Sequence, residues 1–253
     1  MASHKEHDSN EEAVMTAEAS PSRMPGGGIS RRPLHFIVVA DCSGGMKGEK
    51  IQALNFAIAD MMPHLAAWER DQEQAQVFVR AVAFATEPRW HIREPVPVSE
   101  IRWKPLQPVT KGLTNMGPAF AMVGEALAPG QLERRALRPA LLLITDGMAT
   151  DPPGGFEAGL AALMSQPAGR AALRLSVAIG RDAQSDALTQ FIGDPGVPVL
   201  VADNTEDIAD RLVAASLAVS RMSEVGADRG ALARRLLGPE AAPRAIFEQE
   251  TIV

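Results

Sequence analysis

The chain has 253 residues, of which 46% are hydrophobic, 22% charged and 4% aromatic, and it carries a formal net charge of −6. That length suits one large domain with tails and buries a sizeable core, while the acidic balance and the lack of a basic run argue against a nucleic-acid binder. A single cysteine, Cys42, excludes an intramolecular disulfide framework and a cysteine-rich zinc site, and the absence of tyrosine removes phenolic chemistry. The five histidines, His4, His7, His35, His64 and His91, lack the paired spacing of a metal-binding helix. No apolar run approaches the roughly 20 residues of a membrane span, and the acidic start around Glu6, Asp8, Glu11 and Glu12 has no apolar signal core. These features predict a cytoplasmic protein without a membrane partner.

Residues 1–32 hold charges, Pro21, Pro25 and the run Gly26-Gly27-Gly28, with few large apolar groups to offset the entropy of ordering, so they read as a disordered segment. At Leu34 the pattern changes. Leu34 to Ala40 is a continuous β-branched apolar run ending at Asp41, the signature of a strand buried on both faces. Ile51, Leu54, Ile58, Met61 and Leu65 then form one helical stripe, with Glu49 and Lys50 read as an exposed face. Val77 to Phe84 is a second strand, and the alternating segments 90–93 and 101–103 predict a hairpin or edge strand. A loop through Lys111, Thr114 and Asn115 opens a helix around Ala119, Met122 and Leu127.

Residues 140–145 form the next apolar strand, ending at Asp146-Gly147 and followed by a helix near 156–164. Residues 173–179 and 197–201 read as further strands, separated by a helix through Leu188 and Phe191. Asn204 caps a last helix whose stripe is Ile208, Leu212, Ala215 and Val219. From about Glu224 the periodicity stops, leaving residues 223–253 as a tail with a short helical stretch at 231–237. Strands alternating with helices predict an α/β, doubly wound, mostly parallel sheet, here over residues 33–222.

In such sheets ligands bind beyond the carboxyl ends of the strands. Three strand ends or loops carry polar groups that can meet there: Asp41 with Ser43, Thr114, and Asp146. Two carboxylates and two hydroxyls are hard oxygen donors, suited to Mg²⁺ or Mn²⁺. The segments DCSGGMKGEKIQALNFAIADMM (41–62), TKGLTNMGPAF (110–120), LLLITDGMATD (141–151), LSVAIGRDA (175–183) and FIGDPGVPVLVADN (191–204) resemble the von Willebrand factor A domain, most closely its bacterial TerY-like branch associated with tellurite resistance.

That resemblance implies six strands with one antiparallel at the edge, helices on both faces, and a metal-ion-dependent adhesion site. By position, Asp41, Ser43, Thr114 and Asp146 would be its metal ligands, and Gly44, Gly45, Asn115 and Gly147 would border the partner. Gly45 stands where the family carries a second serine, so one hydroxyl is missing and a water would take its corner. The resemblance further implies a non-enzymatic adaptor in a signalling or stress-response system, working with a Ser/Thr kinase and a metal-dependent protein phosphatase. Thr251, in the apolar end of the tail, is a candidate phosphorylation site.

Plainer readings stand beside these. Asp41 can serve only to accept N–H bonds from the Gly44-Gly45 turn, and Ser43 can cap a helix. Cys42 reads as a small buried thiol. A phosphohydrolase of the haloacid dehalogenase type also places an Asp after its first strand, but it needs a second Asp where this chain has Ser43. A metal-independent oligomerising domain is the remaining alternative.

Overall fold

A computed structural model describes residues 31–71, 74–180, 186–202, 204–224 and 237. The N-terminal segment up to residue 30, nearly all of the C-terminal tail and Thr251 lie outside the described residues. Six strands form one sheet: β1 (Arg32–Asp41), β2 (Ala75–Phe84), β3 (Pro88–Pro97), β4 (Ala140–Thr145), β5 (Leu173–Ile179) and β6 (Leu200–Ala202). Their order is β3-β2-β1-β4-β5-β6. All neighbours are parallel except β2 and β3, so one edge is antiparallel, as expected.

The inner strands β1, β2, β4 and β5 are largely apolar because each side of the sheet is covered there, with His35, Arg80 and Ser176 as buried polar exceptions, whereas edge strand β3 is polar and partly exposed. Leu34, Phe36, Val38 and Ala40 of β1 face one cluster with α1 (Glu49–Asp71) and α6 (Thr205–Glu224), while Ile37 and Val39 face the other. That second cluster contains α2 (Met116–Ala126), α3 (Gly155–Ser165) and α5 (Asp186–Ile192), with Phe120 stacked on Phe191. The period-two alternation of one strand therefore feeds two cores. Asn204 does cap α6, its side-chain oxygen accepting the Asp207 N–H at 2.9 Å.

A short helix, α4 (Pro167–Ala171), follows α3. The helices α2 and α3 touch through their backbones. A Cβ placed on Gly159 would sit 2.0 Å from the Gly117 carbonyl oxygen, and one on Gly117 would sit 2.1 Å from that of Gly155. Only glycine permits so close an approach.

Two elements differ from the sequence expectation. The edge is a single long strand, β3, and residues 101–103 are not its partner. Instead, the Pro-containing segment after it runs along α1. Asn55 holds it, donating to the Leu106 carbonyl at 3.0 Å and accepting the Leu106 N–H at 2.6 Å and the Trp103 indole at 3.1 Å. The final strand is short and starts at Leu200 rather than at Val197.

Candidate functional site

The chain leaves β1 and crosses to β2 on one side, then returns to β4 on the other, so the strand order reverses beside β1. The carboxyl ends of β1 and β4 therefore border the topological switch point, where a crevice opens in doubly wound sheets. Asp41 closes β1 and Asp146 follows β4 directly.

Asp41 is fully enclosed. One carboxylate oxygen accepts the Ser43 N–H at 2.7 Å and the other accepts the Thr145 hydroxyl at 2.6 Å. Burial pushes its acid strength down, raising the pKa above the usual 3.8; the Thr145 and Ser43 hydrogen bonds oppose this, and the Asp146 charge adds to it. The bond from Ser43 differs from the turn-capping expectation, in which Gly44 and Gly45 were the donors. The Gly44 N–H goes instead to the Gly112 carbonyl at 3.0 Å, tying the first loop to the second. Ser43 makes no side-chain cap to the turn that follows, and it is 2% exposed.

Thr114 is positioned by Thr150, to which the sequence assigns no role. Its N–H donates to the Thr150 hydroxyl at 2.7 Å and its carbonyl accepts the Thr150 N–H at 2.9 Å. Next to it, Asp151 accepts the N–H groups of Met116 and Gly117 at 2.9 and 2.7 Å, satisfying the start of α2. Asn115 is buried; its amide donates to the Thr86 carbonyl at 3.0 Å and accepts from Thr150 at 3.3 Å. Its side chain thus orders the loop.

Close contacts join the pieces. A Cβ on Gly147 would lie 3.7 Å from the Thr114 hydroxyl oxygen. A Cβ on Gly45 would lie 2.9 and 3.1 Å from the two carboxylate oxygens of Asp146. The structure therefore gathers Asp41, Ser43, Gly45, Thr114, Asp146 and Gly147 at one end of the sheet. It adds Lys50, assigned from sequence to an exposed helix face: its ammonium donates to Asp146 Oδ2 at 2.5 Å. Leu113 and Met148, each beside a site residue, are exposed, as is Val109.

Four oxygen donors surround the crevice, and among the described residues the enclosed Asp41 carboxylate has N–H and O–H donors but no ion-pair partner. That donor set fits a hard divalent ion. Among the described residues, no group of three or more His, Cys, Asp or Glu is arranged to hold a metal, so any such site depends on the hydroxyls of Ser43 and Thr114. Cys42 lies beside the site but is buried, which pushes its thiol up to about 11. It is no nucleophile at neutral pH.

No family model and no curated protein matches the chain. Solved structures do. A von Willebrand factor type A protein from Catenulispora acidiphila superposes with a TM-score of 0.58 at 17% identity, over 75% of this chain and 43% of that one. BatB from Bacteroides thetaiotaomicron gives 0.55 at 15% identity, over 76% and 100%. Proximal thread matrix protein 1 from the mussel byssus, with a zinc-occupied MIDAS motif, gives 0.52 at 13%, over 74% and 48%. The chain spans less than half the length of the first and third of these. At such identities the likeness is one of architecture, and that architecture, a six-stranded mixed sheet with helices on both faces, is the fold of the von Willebrand factor A domains.

Proposed function

We propose that the chain is a non-enzymatic protein-interaction module that engages its partner at the loops around Asp41, Ser43, Thr114 and Asp146. The observation that carries this reading is their convergence at the switch point, on loops that also expose Leu113 and Met148. Ser43 and Thr114 would hold Mg²⁺ or Mn²⁺ through their hydroxyls, with Asp41 and Asp146 acting through water. When bound, the ion supplies an electrophilic position for an acidic side chain of the partner. The protein's own contribution is orientation: Thr145 and the Ser43 N–H fix Asp41, and Thr150 and Asp151 fix the Thr114 loop. Gly44, Gly45 and Gly147 keep the rim low enough for a partner to approach.

Catalysis is a poorer fit. Among the described residues, none of the hydrogen bonds at the site involves a histidine, and the position two residues after Asp41, where a dehalogenase-type phosphohydrolase needs a carboxylate, is Ser43. The resemblance to the TerY-like branch supports a cytoplasmic signalling or stress role with a Ser/Thr kinase and a metal-dependent phosphatase, Thr251 being a candidate target. No described helix is long and apolar enough to cross a membrane.

Affinity capture from native lysate, with and without EDTA, tests the reading. Partners retained by wild type but lost both on chelation and in Asp41→Ala support it. Partners that survive both treatments place the interface elsewhere.

A further inference from the structure

We propose that Lys50 is a tethered cation of this site, holding Asp146 when no divalent ion is bound and competing with one for that carboxylate. The inference rests on the metal reading above and adds what sets the affinity. Lys50 lies in the first turn of α1, directly after the first site loop. Its side chain is 46% exposed, whereas that of Asp146 is 5% exposed, so a mobile ammonium reaches in to an enclosed carboxylate. Among the described residues, Lys50 is the hydrogen-bond partner of that carboxylate.

Gly45 makes the contact feasible. The Asp146 carboxylate lies across the α-carbon of Gly45, with both oxygens 2.9–3.1 Å from where a Cβ would begin. The position that supplies a serine oxygen in the family motif here receives the carboxylate instead. A side chain at residue 45 would push Asp146 away. The missing hydroxyl and the lysine are therefore two parts of one arrangement.

Charge decides the consequence. Two carboxylates and one ammonium leave a net charge of −1 around the crevice, so Lys50 already supplies half of what a divalent ion would bring. An incoming divalent ion needs the same carboxylate and is repelled by the ammonium at short range. Because the Lys50 side chain is half-exposed, its ammonium can return to water while the incoming ion takes over the charge of the enclosed Asp146 carboxylate. Competition of this kind lowers metal affinity without abolishing it. Partner binding then depends on the free divalent-ion concentration over a higher range than an intact site would require.

Calorimetry with Mn²⁺ on the full chain tests the arrangement, with thermal melts confirming that each variant is folded. Lys50→Met is expected to bind Mn²⁺ about tenfold more tightly than wild type, and Lys50→Arg, which keeps the charge, to stay within about threefold of it. The double variant Gly45→Ser with Lys50→Met is expected to be the tightest. Equal affinities in wild type and Lys50→Met overturn the competition and leave the metal reading intact. Tightening in Lys50→Arg as large as in Lys50→Met also overturns it, since bulk rather than charge would then be at work. No Mn²⁺ heat in any variant removes the metal site and the inference together.

Discussion

Asp41 is held as a carboxylate in a place that disfavours charge: it is fully enclosed, and its two oxygens are met by the Ser43 N–H and by the hydroxyls of Thr145 and Ser43. Its folded pKa lies above the usual 3.8, so the ionised form costs stability at neutral pH and that cost diminishes on acidification. An asparagine keeps the acceptor for the Ser43 N–H and can donate to Thr145, whose hydroxyl lies 3.4 Å from the Gly147 carbonyl. Asp41→Asn should therefore raise the melting temperature by roughly 2–4 °C while removing the Mn²⁺ heat; a lower melting temperature would show that the charge stabilises the fold. Such a residue is legible in sequence, because it ends an apolar strand. Thr114 and Asp146 are legible for a related reason, as polar groups in loops beside buried elements. Lys50 is not. Its partner is 96 residues away, and nothing in the periodicity of α1 distinguishes it from a solvated lysine. Thr145, Thr150 and Asp151 are hidden likewise, since their roles are set by distant groups: the Asp41 carboxylate for Thr145, and backbone N–H groups of the Thr114 loop and α2 for Thr150 and Asp151.

Among the elements, the strands are the easiest to anticipate and the connections the hardest. Continuous apolar runs identify β1, β2, β4 and β5, because each must satisfy two cores at once. The segment 101–103 alternates like a strand, yet Asn55 captures the chain around it, and three hydrogen bonds between this one side chain and that stretch outweigh local propensity. The α2–α3 contact is equally invisible in sequence, where Gly117 and Gly159 look like isolated weak points in two helices. In the fold they are the contact. Gly159→Ala adds a methyl group 2.0 Å from a carbonyl oxygen, and overpacking against backbone should cost about 3 kcal/mol in chemical denaturation. Gly130→Ala makes a suitable comparison, because that site has open space and is strained only by its φ of +87°. If Gly159→Ala proves no more harmful than Gly130→Ala, the two helices are not in backbone contact.

For the whole molecule, the placement of Cys42 has a measurable effect on stability. Its thiol is raised from 9.0 to about 11 by burial. Below pH 9.0 both folded and unfolded chains keep the proton, and its contribution is fully present. Between pH 9.0 and about 11 only the unfolded chain releases it, so stability falls as pH rises. With no tyrosine to titrate in the same range, the slope should be clear: wild type should lose roughly 2–3 kcal/mol more than Cys42→Ala across this window. The folded thiol should also resist iodoacetamide at pH 8 until the chain is unfolded, and rapid labelling of the native protein would contradict its burial. The backbone contact between α2 and α3 carries a mechanical consequence. One helix follows the Thr114 loop and the other follows the Asp146 loop, and Thr150 stitches those two loops together. The Gly44 N–H, bonded to the Gly112 carbonyl, joins the β1–α1 loop to the same assembly, so a partner that displaces one of the three loops pulls on the other two.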